Sequence, residues 1–167
     1  MTVEAGSFTV DKITATEGTV AVNAGANLTT TQDFTVGDAI NNKTGTIDAA
    51  GSITAGKVDL QQGTVAVTGS LTANELSVGT SNKEGTVNAA GTVDVDTLNL
   101  NKGNVEVTGS LTAKTLTVGD SDAKIAVGAA DSAGTLTAED VKLGGAASCW
   151  TRPGKTAVRF RQHLKQG

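Results

Sequence analysis

The feature that most constrains this chain is an internal repeat of 40 residues. A shift of 40 positions places one set of glycines on another, with Gly51, Gly63, Gly69 and Gly79 falling on Gly91, Gly103, Gly109 and Gly119. Each block divides again into two related halves of about 20 residues. Self-similarity at this period is typical of solenoids, in which each unit buries its apolar face only by stacking on its neighbours. The repeat, rather than the whole chain, is therefore the folding unit.

Seven copies of the 20-residue unit can be located. They begin at residues 6, 26, 51, 69, 91, 109 and 134. The units differ in length only in the stretches that join the recurring Gly-Ser-Leu-Thr-Ala and Gly-Thr-Val segments. Apolar and polar residues alternate within a unit, as in Leu111-Thr112-Ala113. A period of two indicates strands rather than helices. We therefore expect seven coils made of short strands, with the length variation confined to the turns.

Three apolar columns follow from aligning the units. The first is Phe8, Leu28, Ile53, Leu71, Val93, Leu111 and Leu136; the second is Ile13, Phe34, Val58, Leu76, Leu98, Leu116 and Val141; the third is Val20, Ile47, Val65, Val87, Val105 and Val127. Three columns predict three sheets around a narrow interior. The predicted fold is all-β: a right-handed parallel β-helix of about seven coils with three short strands per coil, because crossovers between parallel strands are almost always right-handed. Stacking at about 4.8 Å per coil predicts a rod about 34 Å long.

Glycines mark the predicted corners of the coils. They are Gly51, Gly69, Gly79, Gly91, Gly109, Gly119 and Gly134. At such a corner the backbone either adopts positive φ or lies against the next coil, and glycine permits both without steric cost. We expect these glycines to be structural.

Composition agrees with a narrow, elongated core and restricts the partners. Aromatic residues make up only 2% of the chain, and there are 21 glycines against a single proline. Residues 1–148 contain all 17 acids and eight lysines, a net charge of −9, whereas all the arginines lie after residue 148. An acidic body is repelled by nucleic acid and by anionic membrane surfaces, so neither is expected as a partner of the solenoid. A single cysteine excludes an internal disulfide. The sequence contains no apolar run of 18 residues, so no membrane-spanning helix is predicted.

Residues 145–167 interrupt the repeat, so the predicted domains are a solenoid over residues 1–144 and a non-repeat basic tail. The tail holds the only cysteine, tryptophan, histidine and proline of the chain. Three interpretations remain open: a C-terminal cap that includes a short basic helix over residues 157–164, a fused or out-of-frame disordered segment, and an independent binding element. No basic and apolar leader follows Met1, so an exported protein would include this chain as an internal segment.

The repeated units resemble those of filamentous-haemagglutinin-like exoproteins and autotransporter passenger domains. The resemblance rests on Gly-Ser-Leu-Thr-Ala and Gly-Thr-Val-x-Ala/Val units at a spacing of about 20 residues, and it covers residues 6–144. It implies a right-handed parallel β-helix in a large secreted or surface-bound bacterial protein, commonly an adhesin. The Asn-Pro motifs of the two-partner secretion domain and a β-barrel translocator are not found in the sequence.

The sequence suggests no catalytic centre and no cofactor or metal site. His163 lies in the tail without an acid near it in sequence, so neither a catalytic triad nor a histidine metal site is expected. Asp94 with Asp96, and Asp120-Ser121-Asp122, are weak candidates for Ca²⁺, which requires six to eight oxygen ligands. We interpret them as solvated surface acids and predict that the protein is not an enzyme.

An outward column of threonines is the best candidate for a contact surface. Its members are Thr54, Thr72, Asp94, Thr112 and Thr137, continued by Thr9 and Thr29, and a second set on another face comprises Thr19, Thr46, Thr64 and Thr86. The predicted function is that of a structural and adhesive segment whose partner is a glycan or protein of a host or a neighbouring cell. A self-assembling fibre, including a phage-type fibre with end-to-end association, is one alternative. An ice-binding protein that uses the threonine columns is another.

Overall fold

The computed structural model describes residues 1–119, 122–129, 132–144, 148–151 and 157–160. All the regular elements of these residues are strands, which stack in parallel as a β-solenoid, so the predicted fold class is confirmed. In the part of the chain that is described, no helix is long and apolar enough to cross a membrane.

Successive strands alternate between two parallel sheets, except that β2 and β3 both lie in the same sheet. In order they are β1 Thr2–Val3, β2 Gly6–Val10, β3 Ile13–Ala15, β4 Gly18–Val22, β5 Ala26–Val36, β6 Gly45–Ala49, β7 Ser52–Leu60, β8 Gly63–Val67, β9 Ser70–Val78, β10 Gly85–Ala89, β11 Thr92–Leu100, β12 Gly103–Val107, β13 Ser110–Val118, β14 Ala123–Val127, β15 Thr135–Leu143, β16 Ser148–Thr151 and β17 Ala157–Phe160. Sheet A has the order β1-β4-β6-β8-β10-β12-β14-β16. Sheet B has the order β2-β5-β7-β9-β11-β13-β15-β17, with β3 also pairing with β5.

The coil boundaries follow the sequence repeat closely. The strands of sheet B that open successive coils start at residues 6, 26, 52, 70, 92, 110 and 135, each within one residue of the predicted start. Seven starts enclose about six complete turns, each of about 20 residues. Equivalent residues of neighbouring coils pair directly, as with Leu71 beside Val93 and Val93 beside Leu111.

Each coil has three faces but only two ladders of paired strands, because the long strands of sheet B bend. In β9 the inward residues are Leu71 and Ala73 before the bend and Leu76 and Val78 after it, so two consecutive residues point outward between them. The ladder to β11 omits the first of these, Asn74. From the second coil onward one bent strand therefore supplies the two faces that the sequence assigns to separate strands, whereas the first coil has the separate strands β2 and β3.

The core consists of inward columns that run the length of the solenoid. The first two predicted columns are buried at their central members, and Phe34 is the largest fully buried side chain among the residues whose burial the structure describes. Each face also contributes a second inward column, such as Ala55, Ala73, Val95, Ala113 and Ala138 on the first face. The third column is wrong in its last coil, because Ile125 rather than Val127 pairs with Val105. Val127 continues the neighbouring column through Val107.

The two ends of the solenoid differ from its middle. Phe8 begins the first column and is 45% exposed, whereas Leu28, the next member, is 0% exposed. Beyond residue 144, β16 pairs with β14 and β17 pairs with β15, so the parallel ladders continue past the last recognisable repeat. The helix considered over residues 157–164 is wrong for residues 157–160, which form β17; residues 161–164 lie outside the described residues.

Candidate functional site

The outward side chains of the first half of the long strands form a surface of two columns, which we name the hydroxyl face. One column is Ser7, Asn27, Ser52, Ser70, Thr92, Ser110 and Thr135, and the other is Thr9, Thr29, Thr54, Thr72, Asp94, Thr112 and Thr137. The columns are about 6.6 Å apart, two residues along a strand, and successive rows are about 4.8 Å apart. Asp94 is the single charged residue among these positions, and the next row, on β17, places Ala157 and Arg159 in register with Thr135 and Thr137.

The structure brings all five predicted contact residues into one column. Thr54 pairs with Thr72, Thr72 with Asp94, Asp94 with Thr112, and Thr112 with Thr137. The first four side chains are exposed, and that of Thr137 is half-buried. Because threonine is stiff at χ1, the hydroxyls of such a column hold a regular spacing with little rotamer freedom.

The second column of the hydroxyl face was missed by the sequence reasoning. Its residues lie two positions before those of the first column, and residues two apart on a strand point to the same side. Ser70 Oγ donates a hydrogen bond to Ser52 Oγ at 3.0 Å, and Asn27 Nδ2 donates to Ser7 Oγ at 3.5 Å. The alternation of the repeat would have identified this column if it had been applied to both polar positions of each unit.

Asp94 and Asp96, the candidate acid pair, have different surroundings. Asp96 lies at the bend of β11, where its Oδ1 is 2.5 Å from Lys114 Nζ, and this contact raises the pKa of Lys114. Among the described residues no hydrogen bond or ion pair within 4.0 Å holds the Asp94 carboxylate, but its charge interacts with Lys114 and contributes to the raised pKa of that lysine. No group of three or more metal-binding side chains occurs in the described part of the chain. The other candidate for Ca²⁺ is Asp120-Ser121-Asp122. Residues 120 and 121 lie outside the described residues, and Asp122 Oδ2 lies 3.3 Å from Lys102 Nζ.

The second face of the coil is charged and tied together by a polar cluster around Glu75. Glu75 Oε1 accepts hydrogen bonds from Ser77 Oγ at 2.8 Å and Asn99 Nδ2 at 3.3 Å and lies 3.1 Å from Lys57 Nζ. The bond from Ser77 and then that from Lys57 lower the pKa of Glu75, and the same contact raises the pKa of Lys57. These residues belong to three successive coils, so the cluster reinforces the stacking.

The third face, on sheet A, carries the other predicted threonine set. Thr19, Thr46, Thr64 and Thr86 form one column in register, as expected from the repeat. The column continues as Asn104 and Lys124, and the neighbouring column includes Asp48 and Glu106. Charges therefore interrupt this face more often than the hydroxyl face.

The predicted corner glycines fall into three kinds. At Gly51, Gly69, Gly91, Gly109 and Gly134 an added Cβ would lie between 1.9 and 2.3 Å from a backbone oxygen of the preceding coil. Gly79 has a φ of +70° and is also crowded, with Lys102 O at 2.0 Å. Gly119 is different, because its φ is not positive and the nearest atom to an added Cβ is 3.7 Å away. Close approach between coils is thus the commoner reason for glycine at these corners.

The sequence also did not predict a hydrogen-bonded loop at another corner of the coil. In residues 37–44, Asp38 Oδ1 accepts hydrogen bonds from the backbone N–H groups of Ile40 and Asn41, each at 3.0 Å. Hydrogen bonds from Asn41 lower the pKa of Asp38. Ile40 is 93% exposed at the tip of this loop. A loop that departs from the 20-residue unit leaves no periodic signal by which its conformation could have been predicted.

No family model, no curated protein and no solved structure matches the chain. The parallel β-solenoid that the resemblance to secreted β-helical repeats implies is present. His163, which the sequence places in the tail, lies outside the described residues.

Proposed function

We propose that the protein is a structural and adhesive repeat segment of a secreted or surface-exposed bacterial protein. Continuous inward columns stack all coils into one unit, which would serve as a stiff rod or spacer. The observation that carries the proposal is the hydroxyl face, where the same polar groups recur in register on successive coils. Individually weak contacts add up when several are made at a fixed spacing, and this multivalency suits adhesion.

An adhesion assay with coated beads tests the proposal. Beads that carry the chain should adhere to bacterial or animal cells more strongly than uncoated beads. Replacing Thr54, Thr72 and Thr112 with lysine should reduce adhesion, because each change removes a hydroxyl from one column. The matched control replaces Thr46, Thr64 and Thr86 on sheet A with lysine, which adds the same charge to another face. Equal adhesion by the two triple variants would refute a role for the hydroxyl face.

The exposed end of the first column favours a self-assembling fibre as a second candidate. Phe8 leaves nearly half of its surface uncovered where the other coils bury the equivalent side chain. Strands at an open end of a parallel stack also present unpaired backbone groups, which can pair with another chain. Sedimentation velocity over a concentration series should then show growth that Phe8→Asp abolishes. A wild-type sedimentation coefficient that does not change with concentration would exclude the fibre.

The hydroxyl face also supports ice binding as a further candidate function. Regularly spaced threonine hydroxyls can order water, and here both columns are in register. The charge of Asp94 interrupts the face, so Asp94→Thr should increase thermal hysteresis if the face binds ice. Absence of thermal hysteresis in both the wild type and this variant would remove the candidate.

A further inference from the structure

We propose that the hydroxyl face binds a neutral, linear polysaccharide laid along the solenoid axis, with Asp94 as its strongest single contact. The inference rests on the proposed adhesive function and names the class of ligand for its contact surface. The site comprises the outward residues of four central coils, which are Thr54, Thr72, Asp94 and Thr112 with their neighbours two positions earlier.

The charge distribution selects a neutral ligand. The solenoid is acidic overall, with 17 acids against eight lysines through residue 148, so it repels anionic polymers. Charged side chains occupy the second face, as in Lys57 and Glu75, and the third, as in Asp48 and Glu106. The hydroxyl face is the exception, since from β2 through β15 only Asp94 is charged and the next charge in its column is Arg159 on β17. Serine and threonine hydroxyls both donate and accept hydrogen bonds, which is what an uncharged polyol requires of its partner.

The geometry selects a linear ligand. Each row repeats the row before it after about 4.8 Å along the axis, so a polymer lying along the axis meets equivalent groups again and again. One neutral hydrogen bond contributes little affinity, because water competes for both partners. Affinity therefore depends on engaging several rows together, and a single sugar should bind far more weakly than a chain of many sugars.

Asp94 lies in the middle of this surface, where its carboxylate accepts no hydrogen bond from the described residues and interacts with Lys114 only at longer range. The side chain is exposed, and threonines flank it in register, Thr72 on one coil and Thr112 on the next. An ionised carboxylate has two oxygens that can accept hydrogen bonds from two adjacent sugar hydroxyls. Bonds to an ionised acceptor are about twice as strong as neutral ones, so Asp94 should contribute more than any threonine of the column.

Co-sedimentation of the full chain with insoluble polysaccharides tests the inference. The probes are microcrystalline cellulose and chitin, which are neutral, and heparin-coupled agarose, which is anionic. The wild type should bind a neutral probe and not the heparin resin. Asp94→Asn should weaken this binding about tenfold, since it keeps the shape but removes the charge. Asp48→Asn, the matched change on the third face, should bind like the wild type.

A second variant measures the threonines separately. Replacing Thr54, Thr72 and Thr112 with valine removes three hydroxyls at nearly constant volume and should abolish binding, while circular dichroism confirms the β structure. Three results would overturn the inference: no binding of the wild type to either neutral probe, equal binding to heparin, or full binding by Asp94→Asn and the valine variant. If coated beads adhere to cells while neither neutral probe is bound, the adhesive function stands and the polysaccharide is refuted.

Discussion

Gly91→Ala should destabilise the solenoid strongly although it adds a single methyl group. An added Cβ at Gly91 would lie 2.1 Å from the carbonyl oxygen of Gly69 and 2.5 Å from that of Thr68. These atoms belong to the backbone of the preceding coil, and no side-chain rotation can move them away. Relief requires the two coils to separate at this corner.

The size of the effect follows from the contacts that would be disturbed. Gly91 N–H donates to Val67 O at 2.7 Å, and Thr92 N–H donates to Gly69 O at 2.9 Å. Overpacking costs about 1–3 kcal/mol, and partial weakening of these two backbone hydrogen bonds adds about 1 kcal/mol in total. We therefore expect the free energy of unfolding to fall by about 2–4 kcal/mol. Urea denaturation followed by far-ultraviolet circular dichroism measures it, with a midpoint shift of about 1–2 M.

Gly119→Ala is the matched control for this prediction. Its Cβ would meet nothing closer than 3.7 Å, and its φ is not positive. The control should therefore leave stability unchanged or raise it by about 0.4–1 kcal/mol, because alanine restricts the unfolded chain. If Gly91→Ala is no more destabilising than Gly119→Ala, close approach between coils does not explain the corner glycines.

Three further predictions concern the core and the charged surfaces. Leu98→Ala should lower the free energy of unfolding by about 2–5 kcal/mol, because the side chain is fully buried; a loss below 1 kcal/mol in urea denaturation would contradict its central place in the core. The pKa of Glu75 is lowered in the folded state, so its ionised carboxylate stabilises the fold at pH values above the ordinary glutamate pKa of about 4.3. This stabilisation is lost as the pH falls through the lower folded-state pKa. Glu75→Gln should therefore flatten the pH dependence of the melting temperature between about pH 5 and 3, and an unchanged profile would refute this. Lys114→Ala should leave the urea midpoint unchanged despite the contact with Asp96, because both side chains are largely exposed.

The repeat made most of the fold predictable from the sequence. A fixed period shows the coil length, and the alternation within it shows which side chains point inward, so the starts of all seven coils could be placed within one residue. The column of Thr54, Thr72 and Thr112 was predictable for the same reason. A shift of one residue would have turned Leu71 and Leu111 outward, so the pattern allows only one register.

What the sequence left undetermined lies where the period is broken. The bend within β9 depends on two consecutive outward residues, Asn74 and Glu75, and this local change of alternation does not show whether the strand ends or continues. The loop over residues 37–44 has no counterpart of equal length in the other coils, so its hydrogen bonds to Asp38 could not be inferred. Val127 was assigned to the wrong column because the turn before β14 differs in length from that of the preceding coil.

The solenoid separates the residues that maintain its shape from those available for contacts. Val93 and Val95 point inward from β11 and are buried, whereas Thr92 and Asp94 alternate with them and are exposed. Threonine occupies the position of Asp94 in the two coils on either side, so the fold has no need of a carboxylate there. The exposed carboxylate of Asp94 also adds nothing to the packing of the core. Substitutions at the outward positions of the hydroxyl face can therefore change which ligand is bound without changing the structure of the solenoid. Asp94 is the first of these positions to test.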